Sequence, residues 1–164
     1  MKALRQGLLP ACLILTVALL VGCSSVDPFS GYNPEDPVYL QVVADPALNT
    51  YGGGAQSLDL YLAQVQEQLT YEGADISDLR KAKQTSVPGG RSIRRIEIAP
   101  GETRSVNLGP MTYDHFTHIG AFAAYGQPSG EPLSQVRAAE IPSSGRLVLK
   151  LGPNSILQFI EDSE

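Results

Sequence analysis

Tryptophan is absent from this 164-residue sequence, phenylalanine occurs four times, and cysteine and histidine occur twice each. With so few large aromatics, a broad stacking platform for sugars or bases has little to be built from. The two cysteines, Cys12 and Cys23, both lie in the first 23 residues, and everything that follows lacks a thiol. That remainder forms no disulfide and holds no cysteine-ligated metal. Basic residues are also in the minority, 12 against 17 acidic, for a net charge of −5. This balance argues against a broad face for nucleic acid or anionic lipid. The serines lack a nucleophile signature, with neither G-x-S-x-G nor S-x-x-K, and "GGGAQS" has no Walker lysine. No apolar run is long enough to span a bilayer: the longest, Leu8 to Val21, falls short of the roughly 20 helical residues required.

That short run has a different meaning. Lys2 and Arg5 precede it and small residues close it, the pattern of a secretory signal peptide. Its end, Leu20-Val21-Gly22-Cys23, resembles the bacterial lipobox, in which the cysteine is lipidated and becomes the first residue. Residues 1–22 are therefore expected to be removed, with N-acyl and S-diacylglycerol lipid on Cys23. A single myristoyl chain is a marginal anchor at about 0.8 kcal/mol per buried methylene, whereas three chains are effectively permanent. Ser24, which follows the cysteine where aspartate would retain such a protein at the inner membrane, predicts sorting to the outer membrane. Removing 1–22 takes away two basic residues and no acidic ones, leaving 142 residues of net charge −7. This is one domain's worth of chain, long enough to bury a core unaided. Residues 23–36, "CSSVDPFSGYNPED", read as a lipidated tether, and 37–164 as the folded domain.

The domain reads mainly as strands. In "VYLQVVA", Val38, Leu40 and Val42 share one face; in "SLDLYLAQV", Leu58, Leu60 and Leu62 do. Ile96 and Ile98 alternate with Arg95 and Glu97. Val106 with Leu108, and Leu147 with Leu149 and Leu151, repeat the half-buried pattern. "HIGAFAAYG" is continuously apolar and fits a central strand buried on both faces, and "SILQFIED" makes a final strand. One stretch, "YEGADISDLRKAK", places Ile76, Leu79 and Ala82 at helical spacing, with Asp75 and Asp78 early and Arg80, Lys81 and Lys83 late. The composite is a mainly β, two-sheet β-sandwich with a short helical insertion.

Chemistry is sparse in it. Asp114, His115 and His118 in "YDHFTH" invite a metal reading, but a strand there puts the two histidines on opposite faces, and a turn entering the buried strand is the simpler account. Glu72, Asp75 and Asp78 read as capping and solvated groups. No enzyme activity, metal or cofactor is expected. The segment from Asp45 to Gln56, "DPALNTYGGGAQ", is more telling: hairpins usually need two to five residues, and this link uses a dozen. Leu48 and Tyr51 have no obvious core position in it. It is either a binding loop or merely a mobile one.

The order of these features resembles the TssJ family, the outer-membrane lipoprotein of the bacterial type VI secretion system. Tyr71, Ala74, Asp75, Ile76 and Leu79 match its helix; Pro100, Gly101 and Glu102 match its turn; Ile119, Gly120, Ala123, Ala124 and Tyr125 match its buried strand. Two stretches depart from the pattern: only Arg137 stands where the family often has a Trp-Arg pair, and "SVPGGRSIRR" precedes the turn. The resemblance implies a transthyretin-like sandwich, lipid-anchored in the outer membrane and facing the periplasm. It implies a non-enzymatic anchor for the trans-envelope complex, binding the periplasmic part of a TssM-like inner-membrane protein. Carried over, the partner-binding loop comprises Asp45, Pro46, Leu48, Asn49, Thr50, Tyr51, Gly52, Gly53 and Gly54. The rival readings are an unrelated periplasmic lipoprotein that binds carbohydrate or peptidoglycan, and a transthyretin-like hydrolase that would need His118 and Arg137 to converge.

Overall fold

The structure is a computed structural model that describes residues 33, 35–50, 53–81, 86–111, 115–126 and 133–163. The expected cleavage and lipidation sites therefore lie outside the described residues, as do Tyr51 and Gly52 of the long loop. Among the described residues, eight strands form two four-stranded sheets. In chain order they are β1 (Pro37–Ala44), β2 (Leu58–Val65), β3 (Gly90–Ile98), β4 (Thr103–Pro110), β5 (His118–Tyr125), β6 (Leu133–Glu140), β7 (Arg146–Leu151) and β8 (Ile156–Glu161). One sheet has the order β4-β1-β7-β8 and the other β3-β2-β5-β6. Neighbours are antiparallel except β1 and β7, which run parallel with Leu40 opposite Leu147 and Val42 opposite Leu149.

The alternating residues explain why these sheets face each other. Val38, Leu40 and Val42 of β1 and Leu147, Leu149 and Leu151 of β7 turn to one side. They meet Leu58, Leu60 and Leu62 of β2 and Ile119, Ala121 and Ala123 of β5 in a single core. All twelve are at most 1 % exposed, and burial at this level contributes on the order of 1.5–3 kcal/mol per large aliphatic side chain.

The helical part differs from expectation. Two short helices replace one: α1 (Gln68–Glu72) and α2 (Ile76–Lys81). Gly73 closes α1, donating its amide to the Leu69 carbonyl, and Asp75 opens α2 by accepting the Ser77 amide at 2.6 Å. The Ser77 hydroxyl first, and this amide after it, hold the Asp75 carboxyl below the usual carboxylate range. The pair covers the outer face of the second sheet, where Tyr71 and Leu79 pack with Ala63, Val65, Phe122, Val136 and Ala138. This second cluster is why β5 is apolar on both faces: its odd-numbered residues face the inter-sheet core, and Gly120 and Phe122 face the helices. Strand β6, in "LSQVRAAE", carries too weak an alternation to be read as a strand beforehand. It is specified by its pairing with β5, Val136 opposite Phe122 and Ala138 opposite Gly120.

Candidate partner-binding pole

The β1–β2 connection begins where β1 ends, and its first half is rigidly built. Asp45 donates its amide to the Leu151 carbonyl at 2.8 Å and accepts at its own carbonyl from Leu48 and Gly101. Its Oδ1 takes the Ala47 amide at 2.7 Å, the self-bonded turn that aspartate favours. The chain then drops Leu48 into the inter-sheet core, fully buried, which corrects the expectation that this residue has no core position. A loop this long offers its one branched aliphatic as a plug for the end of the sandwich, and the area it removes from water holds the base down.

Asn49 follows as the hinge of the loop. Its φ of 50° lies in the left-handed region that asparagine tolerates better than most residues. The buried side chain satisfies both of its polar ends: Nδ2 donates to the Ser57 carbonyl at 3.0 Å, and Oδ1 accepts the Gly126 amide at 2.7 Å. It thereby ties the loop to the start of β2 and the end of β5. Leu48 accepts the Gln56 amide at 3.0 Å, closing the base, and Thr50 donates its amide to the Pro153 carbonyl. Beyond this base, Thr50, Gly53 and Gly54 are exposed, with Gly53 at a φ of 101°. The predicted loop residues thus fall into two groups. Among the described ones, Asp45, Leu48 and Asn49 are structural, and Pro46, Thr50, Gly53 and Gly54 are exposed to a partner.

Other turns gather at the same end. The Pro100-Gly101-Glu102 turn abuts Asp45; Glu102 Oε2 accepts the Ala99 amide at 2.8 Å, and its other oxygen accepts from Arg104 Nε at 2.6 Å. The backbone bond chiefly, and the guanidinium after it, hold the Glu102 carboxyl below its ordinary range. The β7–β8 turn supplies Pro153. The opposite end carries Pro37, the turn at Gly145 that accepts the Tyr39 amide, and the two helices beyond Val65. The eight residues of β1 separate the two poles by roughly 26 Å. The chain enters at one pole, and the long loop projects from the other.

The remaining candidates stay apart. His115 sits exposed in a turn and His118 begins β5, where its Nδ1 lies 2.8 Å from the Thr117 hydroxyl. Arg137 is opposite Ala121 rather than His118, whose partner is Glu140, so the convergence needed for a hydrolase does not occur. No group of three metal-ligating side chains occurs among the described residues. Glu72 corrects another expectation. It is not merely solvated: its Oε1 accepts the Ala138 amide at 2.7 Å.

The fold defined here is an eight-stranded sandwich with helices on one outer face and a long loop at one pole. No protein-family model matches the chain, and no curated protein does. Solved structures do. The type VI secretion lipoprotein TssJ1 from Pseudomonas aeruginosa superimposes with a TM-score of 0.61 at 24% identity, over 80% of this chain and 99% of that one. Serratia marcescens Lip, a membrane-bound component of the type VI secretion system, gives 0.55 at 14% identity, over 77% and 100%. A chain of the structure of the TssM C-terminal domain from EAEC gives 0.56 at 16%, over 77% and 98%. At these identities the likeness is one of fold, and the fold is TssJ-like.

Proposed function

We propose that this protein is a lipoprotein of a type VI secretion membrane complex, held in the outer membrane through lipid on Cys23. In this reading the domain faces the periplasm and holds a TssM-like inner-membrane protein at the pole opposite its point of attachment. The likeness of fold over four-fifths of the chain carries this reading. The two-pole geometry supports it: the tether joins at Pro37, and the long loop points away from that junction. Among the described residues, no helix is long and apolar enough to cross a bilayer. Attachment in this reading therefore falls to lipid at Cys23. No enzymatic step is part of it; the protein acts as a mechanical link between membrane and machine.

The test is recovery of the partner from detergent-solubilised envelopes with tagged protein. Leu48→Asp is unsuitable, since a buried carboxylate would unfold the loop base. Gly54→Arg, at an exposed position with open space for a side chain, alters the tip alone. Loss of a large inner-membrane protein with that variant, at unchanged thermal stability, is the expected result. Cys23→Ala is expected to keep the partner and leave the membrane fraction. If wild-type protein recovers no inner-membrane partner, the secretion reading fails.

A further inference from the structure

The two flanks of the sandwich are finished differently. On one, β6 and β8 are tied across the sheets by Gln135, whose Oε1 accepts the Ile156 amide at 2.8 Å. The Ala138 amide of β6 is occupied by Glu72. On the other, β3 and β4 are both sheet edges, and between them lies an open cleft of about 540 Å³. Its lining is mixed, with Ile96, Val106 and Leu108 beside the two arginines Arg94 and Arg104. Arg104 is paired with Glu102, whereas the Arg94 side chain makes no hydrogen bond or ion pair with any described residue. A groove that carries two arginines, along strand edges left unpaired among the described residues, is unusual in a chain of net charge −5. Free edges are normally paired, covered or blocked by charge.

A suitable occupant is part of the same chain. Residues 24–36 hold Asp27, Glu35 and Asp36 and no basic residue, together with the apolar Val26, Phe29 and Tyr32. They join the fold at Pro37, which pairs with Pro110, next to the end of the cleft at Gly109. Just before that junction, Asp36 donates its amide to the Asn33 carbonyl at 2.9 Å and Asn33 Oδ1 accepts the Glu35 amide. This turn breaks the line of the chain just before β1, so that what precedes it is not a straight prolongation of that strand.

We propose that Val26–Tyr32 docks in the β3–β4 flank as an added strand along β4, with Phe29 over Val106 and Ile96 and Asp27 between Arg94 and Arg104. The dimensions agree: extended, Asp27 to Tyr32 spans roughly 17 Å, as does Arg104 to Gly109 of β4. So does the spacing, because Tyr32, Phe29 and Asp27 are set three and two residues apart, as are Gly109, Val106 and Arg104. Pro28 fits an added strand, which is itself an edge. Docking in this sense carries Cys23 to the pole of the β1–β2 loop. Taken with the lipid-anchor reading, on which this consequence rests, the docked form holds the loop against the membrane and release frees it for a partner.

The experiment places the photocross-linker p-benzoylphenylalanine at Phe29 of the full chain, expressed and exported in bacteria, and maps cross-linked peptides by mass spectrometry. Intramolecular cross-links to residues 94–96 and 104–108 are expected. Arg94→Glu with Arg104→Glu should lower their yield about tenfold, as turning two attractions into repulsions would, while Arg94→Lys with Arg104→Lys retains them. Cross-links scattered over the surface, found only between molecules, or indifferent to charge reversal would overturn the proposal. The mass of the N-terminal peptide in the same sample reads the lipid on Cys23. Scattered cross-links on a lipidated chain sink the docking alone, and mapped cross-links on an unlipidated chain sink the anchor alone.

Discussion

Gly120 and Tyr71 meet face to face, and this contact explains two positions of the sequence pattern at once. A Cβ at 120 would lie 2.5 Å from Tyr71 Cε1 and 2.7 Å from Val65 Cγ2, so only glycine leaves room for the ring that seats α1 on β5. Gly120→Ala is expected to destabilise the domain by about 1–3 kcal/mol, the range for overpacking, measured as a lower urea midpoint. The Asn49 hinge makes a second prediction. Asn49→Ala strips the Gly126 amide of its partner and leaves alanine at positive φ. A loss of about 2–3 kcal/mol is expected, with faster amide exchange at Gly126 and Gln56. The left-handed backbone and the partners of Asn49 were not readable from "LNTYGGG". Neither was the burial of Leu48, because a residue inside a long loop has no periodicity from which its direction can be inferred.

At the level of elements, strand alternation was legible wherever one face is core, as in β1, β2 and β7. It failed for β6, whose Gln135 and Arg137 occupy the inner row of an edge strand that reaches solvent. The helical insertion was legible in outline, yet its division at Gly73 and the docking of α1 depend on contacts from distant strands. Glu72 shows the consequence: its carboxylate occupies an amide on β6 that sequence spacing could not reach. Glu72→Ala is expected to cost about 1–2 kcal/mol and to raise amide exchange at Ala138 selectively, whereas a purely solvated glutamate would leave both unchanged.

Considered whole, the molecule is a sandwich whose two ends and two flanks are chemically unlike. It also contains two tyrosines, Tyr71 and Tyr125, whose burial pushes their hydroxyl ionisation well above the ordinary value of 10.0. The neutral form is the folded one, so the unfolded chain gives up these protons first as pH rises. Stability from both groups is fully present below about pH 10 and falls above it. The slope approaches roughly 1.4 kcal/mol per pH unit for each tyrosine. Urea midpoints between pH 9 and 11 should trace this fall, and Tyr71→Phe with Tyr125→Phe should flatten it. An unchanged slope in the double variant would assign the alkaline limb to other groups.

The class of fold was contained in the sequence, because alternation with period two and turn residues between apolar runs are local properties, set by neighbours along the chain. The expected export and lipid attachment rest on a local signal of the same kind. What the tertiary structure decided is relative position. It separated the loop into an anchored base and an exposed tip and set that tip at the pole away from Pro37. It also closed one flank with Gln135 and Glu72 while leaving a cleft that carries two arginines on the other. These outcomes depend on which strands become neighbours. That choice is made by the burial of two faces at once, and no single stretch of sequence carries it.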